Sequence, residues 1–143
     1  MRPSSRSLLG LVIVALVVLT AQGWTGDFVN LFAVFPSGVT DHTLAGFTQA
    51  LAQAGRMEVT HATVGTLLLV LAIVILFVTL RSAANSGVRI CAVLGFVAIC
   101  SAAYGGISFV LSGFLNNGNS AQMGGSFIGA YASYFLVLYF NKK

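Results

Sequence analysis

Charge is the scarcest feature of this sequence. Asp, Glu, Lys and Arg make up 7% of the 143 residues, whereas soluble domains carry about 25%. The hydrophobic share is 57% and the mean hydropathy is +0.95. So few charges cannot cover a water-exposed surface, and the composition therefore predicts a protein of the cell membrane. Since one crossing takes about 20 residues, the length allows four helices and no separate soluble domain.

Residues that carry chemistry are also few. There are two histidines, two cysteines and three carboxylates, and they are not spaced as a zinc or catalytic set. Cys91 and Cys100 share one apolar run and would be more than two helical turns apart, too far for a disulfide. No phosphate-binding glycine loop, Ser-x-x-Lys pair or CxxC motif occurs. We therefore expect no self-sufficient enzyme.

The centres of the apolar runs contain no charged residue and no histidine. The runs are about 8–24, 59–80, 90–111 and 123–140. Proton pumps, ion channels and secondary transporters usually place an ionisable group at this depth, so these classes are disfavoured. The fold class predicted is an all-α membrane protein, a bundle of four transmembrane helices in one domain, 1–143. The first run resembles a secretory signal, but small residues are poorly placed for cleavage, and we expect a retained helix.

The segment 25–57 is the only long connection. Its first part is rich in Phe up to Pro36 and is expected to lie along the membrane interface or over the end of the bundle. Its second part has Leu44, Phe47 and Leu51 at helical spacing. Thr40 or Asp41 would serve as the N-cap and Gly55 as the stop. This pattern predicts a short interfacial helix, either a simple connector or a lid that gates a ligand or docks a partner.

The basic residues predict the orientation. Lys and Arg near the ends of membrane helices are retained on the cytoplasmic side. With N- and C-termini cytoplasmic, six of the seven basic residues fall inside: Arg2, Arg6, Arg81, Arg89, Lys142 and Lys143. Only Arg56 lies outside, in the loop that also holds Asp27, Asp41 and Glu58. The net charge of +4 thus indicates topology and contact with anionic lipids, and no basic stripe with interleaved aromatics suggests nucleic acid.

His61 is the one histidine that falls within an apolar run. It lies at the start of the second run, where a neutral imidazole could bind haem iron, shuttle a proton or hydrogen-bond a neighbouring helix. Gly65 lies one turn further on the same face and could let a porphyrin approach the backbone. Glu58 lies one turn earlier and could orient the imidazole or pair with Arg56.

The pattern Glu58-x-x-His61-x-x-x-Gly65 resembles the corresponding helix of haem A synthase, a membrane enzyme built from two four-helix halves. The resemblance implies a haem held by His61 and by a second histidine two helices later. The fourth run has no histidine and Arg does not follow His61, so Met123 or His42 would have to supply the opposite iron ligand.

Longer stretches are similar to a group of small uncharacterised bacterial membrane proteins with four helices. The stretches are "VNLFAVFPSG", "HATVG", "AYGGISFVLSG" and the glycine-rich last run. This resemblance implies the topology and no chemistry. Two functions are therefore expected. The first is an accessory or structural subunit of a larger membrane complex, such as one of respiration or energy metabolism, with other membrane subunits and lipids as partners. The alternative is a haem-binding, cytochrome-like protein that uses His61.

Overall fold

The computed structural model describes residues 5–32, 43–82, 84–114 and 116–141. All regular structure in these ranges is helical: α1 (Ser5–Phe32), α2 (Leu44–Gln53), α3 (Arg56–Arg81), α4 (Ser86–Leu111) and α5 (Asn117–Phe140). Helices α1, α3, α4 and α5 are long and apolar enough to cross a membrane, and α2 lies between the first two in sequence. The predicted all-α fold with four spans and a short helix is confirmed. The four apolar helices indicate a multi-pass membrane protein.

Helix α1 is longer than predicted. The first apolar run ends near Trp24, but the helix continues to Phe32. Glycines at 23 and 26 do not stop it, and aromatic side chains stack along its last turns, Trp24 on Phe28 and Phe28 on Phe32. At 1.5 Å per residue, 28 residues measure about 42 Å, so the last turns extend past a hydrocarbon core of about 30 Å.

The caps of α2 differ from the prediction. The N-cap is Thr43, whose hydroxyl oxygen accepts a hydrogen bond from the Gly46 amide at 3.4 Å. Thr40 and Asp41, the predicted caps, lie outside the described residues. The Phe-rich stretch before them, predicted to lie along the interface or over the end of the bundle, continues α1 as far as Phe32, and its remainder from residue 33 lies outside the described residues. Gly55 does mark the boundary, because it is the N-cap of α3. Helix α2 packs on α3 and α4, and its residues Gly46 and Ala50 are buried.

The four long helices form a ring in which α1 contacts α3, α3 contacts α4, α4 contacts α5, and α5 returns to α1. The α4–α5 contact is the most extensive and the α1–α5 contact is the least extensive of the four. The diagonal pairs do not meet within the described ranges. The core inside the ring is apolar and includes Leu8, Val12, Ala15, Leu19, Leu68, Ala72, Ile75, Val88, Ala92, Ile99, Ala130, Tyr134 and Val137.

In the sequence, small residues repeat every four positions in the third and fourth runs, at Ala98, Ala102 and Gly106 and at Gly125, Gly129 and Ser133, and these two stripes are predicted to meet. A Cβ at Gly129 would lie 3.7 Å from the Ala98 methyl group. Tyr134 is fully buried, and a Cβ at Gly95 would lie only 2.9 Å from its ring. Gly125, which belongs to the same predicted stripe, has no neighbouring atom within 4 Å of a Cβ position. The stripe therefore faces α4 at Gly129 but not at Gly125.

The turn between α3 and α4 is tied to the end of α5. Asn85 accepts a hydrogen bond from the Val88 amide at 2.9 Å and donates from Nδ2 to the Phe140 carbonyl at 3.0 Å. Arg89 donates to the Ser82 carbonyl at 3.2 Å. We call this side the Asn85 end, and the opposite side, where α1 and α4 end and α3 and α5 begin, the His61 end.

Replacing Gly95 by Ala should destabilise the bundle by about 1–2 kcal/mol, because the added methyl group overlaps the buried Tyr134 ring. Gly125→Ala is the matched control. It meets open space, so it should be neutral or stabilise α5 by up to about 1 kcal/mol. Reversible unfolding in mixed micelles would measure both free energies. Equal effects of the two substitutions would contradict the packing described here.

Candidate functional site around His61

His61 lies in the second turn of α3, half-buried between α3 and α1. It is five residues into the helix, or about 8 Å from its first residue. Its partners are on α1, one turn apart: Gln22 and Thr25. The site therefore joins the first half of α3 to the second half of α1 at the His61 end.

Both imidazole nitrogens have hydrogen-bond partners. Gln22 Nε2 lies 3.1 Å from His61 Nε2, and Thr25 Oγ1 lies 3.1 Å from His61 Nδ1. The Thr25 hydroxyl donates its one proton to the Gln22 backbone carbonyl at 3.1 Å, so Oγ1 accepts from Nδ1–H. Nε2 is then unprotonated and accepts from the Gln22 side-chain amide. The network thus assigns the neutral Nδ1–H tautomer.

Two glycines make room for this network. A Cβ at Gly26 on α1 would lie 3.0 Å from His61 Cε1. A Cβ at Gly65 on α3 would lie 3.1 Å from Gln22 Nε2. Each helix thus places a glycine beneath the polar side chain of the other. Gly65 was predicted to leave space for a porphyrin, and in this structure the Gln22 amide lies over it.

One polar atom of the site has no partner. Gln22 Oε1 is buried and accepts no hydrogen bond from the described residues. A buried carbonyl oxygen left unpaired costs about 1–3 kcal/mol. The Gln22 side chain therefore bonds to the imidazole through its amide nitrogen while its carbonyl oxygen stays unpaired.

The other predicted site residues are not partners of the imidazole nitrogens. The Glu58 carboxylate folds back to Gly55, with Oε2 2.6 Å from a Cβ position there, where it faces the positive end of the helix dipole. Met123 packs against α4, with Sδ 3.3 Å from a Cβ position at Gly106. His42 lies outside the described residues. The structure brings His61 together with Gln22, Thr25 and Gly26, none of which the sequence analysis selected.

A second polar cluster joins α4 and α5. Ser126 donates to Ser101 Oγ at 2.9 Å, and Gln122 Nε2 donates to the same hydroxyl oxygen at 3.2 Å. The sequence carries a signal for both clusters. Gln22 lies inside the first apolar run and Gln122 directly precedes the fourth, and an amide at this depth needs a partner on another helix.

The arrangement around His61 holds helices together. To coordinate an iron, His61 would have to release Gln22 or Thr25, because coordination needs a free nitrogen lone pair. The haem site of His61, Met123, His42, Gly65 and Glu58 stays a prediction, and this geometry does not favour it.

The chain matches no protein-family model, no curated protein and no solved structure. The resemblances to haem A synthase and to the small four-helix membrane proteins therefore stay predictions. What is known of the site comes from its own geometry.

Thr25→Val should destabilise the bundle by about 1–2 kcal/mol, because it leaves His61 Nδ1–H without an acceptor while keeping the side-chain volume. Thr63→Val is the matched control, since the Thr63 hydroxyl is exposed and donates to the Val59 carbonyl of its own helix. Unfolding in mixed micelles would compare the two. If both variants unfold alike, the Thr25 hydroxyl does not join α1 to α3.

Proposed function

We propose that this chain is a structural or accessory subunit of a larger membrane complex. The observation that carries the proposal is the use of both His61 nitrogens to hold α1 against α3. This imidazole is the only one in the described part of the chain. A group that is committed to hydrogen bonds inside the protein acts as a structural link rather than as a free base or ligand.

The remaining polar groups support the same proposal. The hydroxyl groups of Ser101 and Ser126 bond to each other between α4 and α5. The charged side chains of the described residues lie toward the helix ends: Arg6, Asp27, Arg56, Glu58, Arg81 and Arg89. Such spans offer no chain of ionisable groups for ion or proton movement, and uncharged helices are suited to lateral packing. An assembly of respiration or energy metabolism is the kind of complex that we propose.

The native protein should migrate together with larger membrane chains after extraction in mild detergent. Its absorption spectrum should show no Soret band that depends on His61, because His61 keeps its hydrogen bonds to α1 in the folded chain. Blue-native electrophoresis and spectroscopy of the same preparation would test both points. A stable monodisperse protein purified alone would contradict the subunit proposal. A Soret band lost in His61→Ala would favour the haem-binding alternative.

We also propose that the N- and C-termini face the cytoplasm. The distribution of charge supports this orientation, since Arg6, Arg81 and Arg89 lie at the Asn85 end whereas Asp27 and Glu58 lie at the His61 end. Arg56 is the one described basic residue at the His61 end.

Single exposed cysteines would report this orientation. In a background without Cys91 and Cys100, a membrane-impermeant maleimide should label Gln53→Cys in intact cells and Ser86→Cys only after permeabilisation. Gln53 ends α2 at the His61 end and Ser86 begins α4 at the Asn85 end, so they lie on opposite sides. The reverse labelling pattern would invert the proposed topology.

A further inference from the structure

The least extensive contact of the ring, between α1 and α5, leaves an open groove on the side of the bundle. The groove is shallow, with Ile128 67% and Phe135 61% exposed, and its volume is about 860 Å³. It is lined from α1 by Thr20, Gly23, Trp24 and Asp27, and from α5 by Phe127, Ile128, Tyr131, Ala132, Phe135 and Leu136. The groove lies between two membrane-spanning helices, so its natural occupant comes from the membrane.

The groove is elongated along the helix axes. The α5 residues that line it are spaced over about two turns, which corresponds to about 12 Å between Ile128 and Leu136. Its floor is the contact of Phe127 with Gly23, where a Cβ would lie 2.9 Å from the phenyl ring. The Thr20 hydroxyl donates to the Leu16 carbonyl at 2.9 Å, so it does not need a hydrogen-bond acceptor from a molecule in the groove. These surfaces suit an acyl chain that lies parallel to the helices.

The depth of Asp27 places a charge at one end of the groove. Arg6, near the start of α1, belongs at one membrane boundary, and Asp27 lies 21 residues further, or about 32 Å along the helix axis, whereas a hydrocarbon core is about 30 Å thick. Its carboxylate therefore lies at headgroup level while the rest of the groove faces hydrocarbon. Trp24, one turn deeper, is 68% exposed, as is usual for aromatic residues that anchor at the membrane boundary.

Asp27 is the only charged residue that lines the groove, and it is exposed. Within the described ranges no side chain forms an ion pair with it. An occupant that brings a positive group to this position would gain a charge-assisted hydrogen bond. A second copy packed symmetrically on this groove would bring a second Asp27 and would be repelled. A phosphatidylglycerol headgroup carries a net negative charge and offers no ammonium group to the carboxylate.

We propose that the α1–α5 groove is a binding site for an ethanolamine phospholipid. One acyl chain lies along Phe127, Ile128 and Phe135, and the primary ammonium group donates hydrogen bonds to the Asp27 carboxylate. A choline headgroup carries the same positive charge but no N–H donor, so it binds less tightly. This site does not depend on the proposed subunit role.

Native mass spectrometry of the delipidated protein would test the site. The protein is titrated in micelles with phosphatidylethanolamine, phosphatidylcholine or phosphatidylglycerol of identical acyl chains. We expect one phosphatidylethanolamine per chain to be retained preferentially. Asp27→Asn should weaken that retention by about tenfold and remove the preference, because the amide has no charge to attract the ammonium group. Asp27→Glu should keep the preference.

Glu58→Gln is the matched control, since Glu58 is the other described carboxylate of the His61 end and does not line the groove. Ala132→Trp fills the groove and should reduce retention of all three lipids, whereas Ile73→Trp on the exposed face of α3 should not. Circular dichroism confirms that each variant is folded. Equal retention of phosphatidylethanolamine and phosphatidylglycerol by the unmodified chain, or unchanged retention in Asp27→Asn, would overturn the proposal.

Discussion

A polar side chain inside a bilayer has no water to bond to, so its hydrogen bonds must come from the protein. This constraint sets the contacts between the helices of this chain. His61 is satisfied only where Gln22 and Thr25 of α1 reach it, and this fixes the depth and rotation of α1 relative to α3. The Ser101 and Ser126 hydroxyls fix α4 against α5 in the same way. Apolar packing alone would not define these alignments, because lipid tails are as apolar as the side chains.

Glycine makes these contacts possible at close range. Gly26 faces His61 and Gly65 faces Gln22, so the two helices exchange a polar side chain and a gap in both directions. The aromatic contacts follow the same rule, with Tyr134 over Gly95 and Phe127 over Gly23. In each case a glycine on one helix leaves space for a large or polar side chain of the neighbouring helix. The positions of the glycines therefore influence which helices lie side by side and how closely they approach.

The sequence predicted the spans well because hydrophobicity is summed over about 20 residues and tolerates single exceptions. Helix ends depend on individual residues, and there the predictions were less accurate. Thr43 caps α2 instead of Thr40 or Asp41, and α1 continues eight residues past Trp24. No strong breaker stands at that point, since a glycine weakens a helix by only about 1 kcal/mol.

The candidate site was predicted only in part. One of the roles considered for His61, a hydrogen bond to a neighbouring helix, is found in the structure. Its partners could not be read from local spacing, because Gln22 and Thr25 lie 39 and 36 residues away. Local spacing instead selected Glu58, which lies one turn away but faces Gly55. Identifying the true partners requires knowing which helix lies beside α3, and only the assembled ring supplies that.

The same polar contacts explain why the groove lies between α1 and α5. Side-chain hydrogen bonds join α1 to α3 and α4 to α5, and a short turn joins α3 to α4. At the α1–α5 seam Phe127 packs on Gly23, and this contact is the least extensive of the ring. A ring joined in this way separates most easily at that seam. A molecule that fills the seam stabilises the closed ring without competing with any bond inside the protein, so occupation of the groove and stability of the bundle are linked.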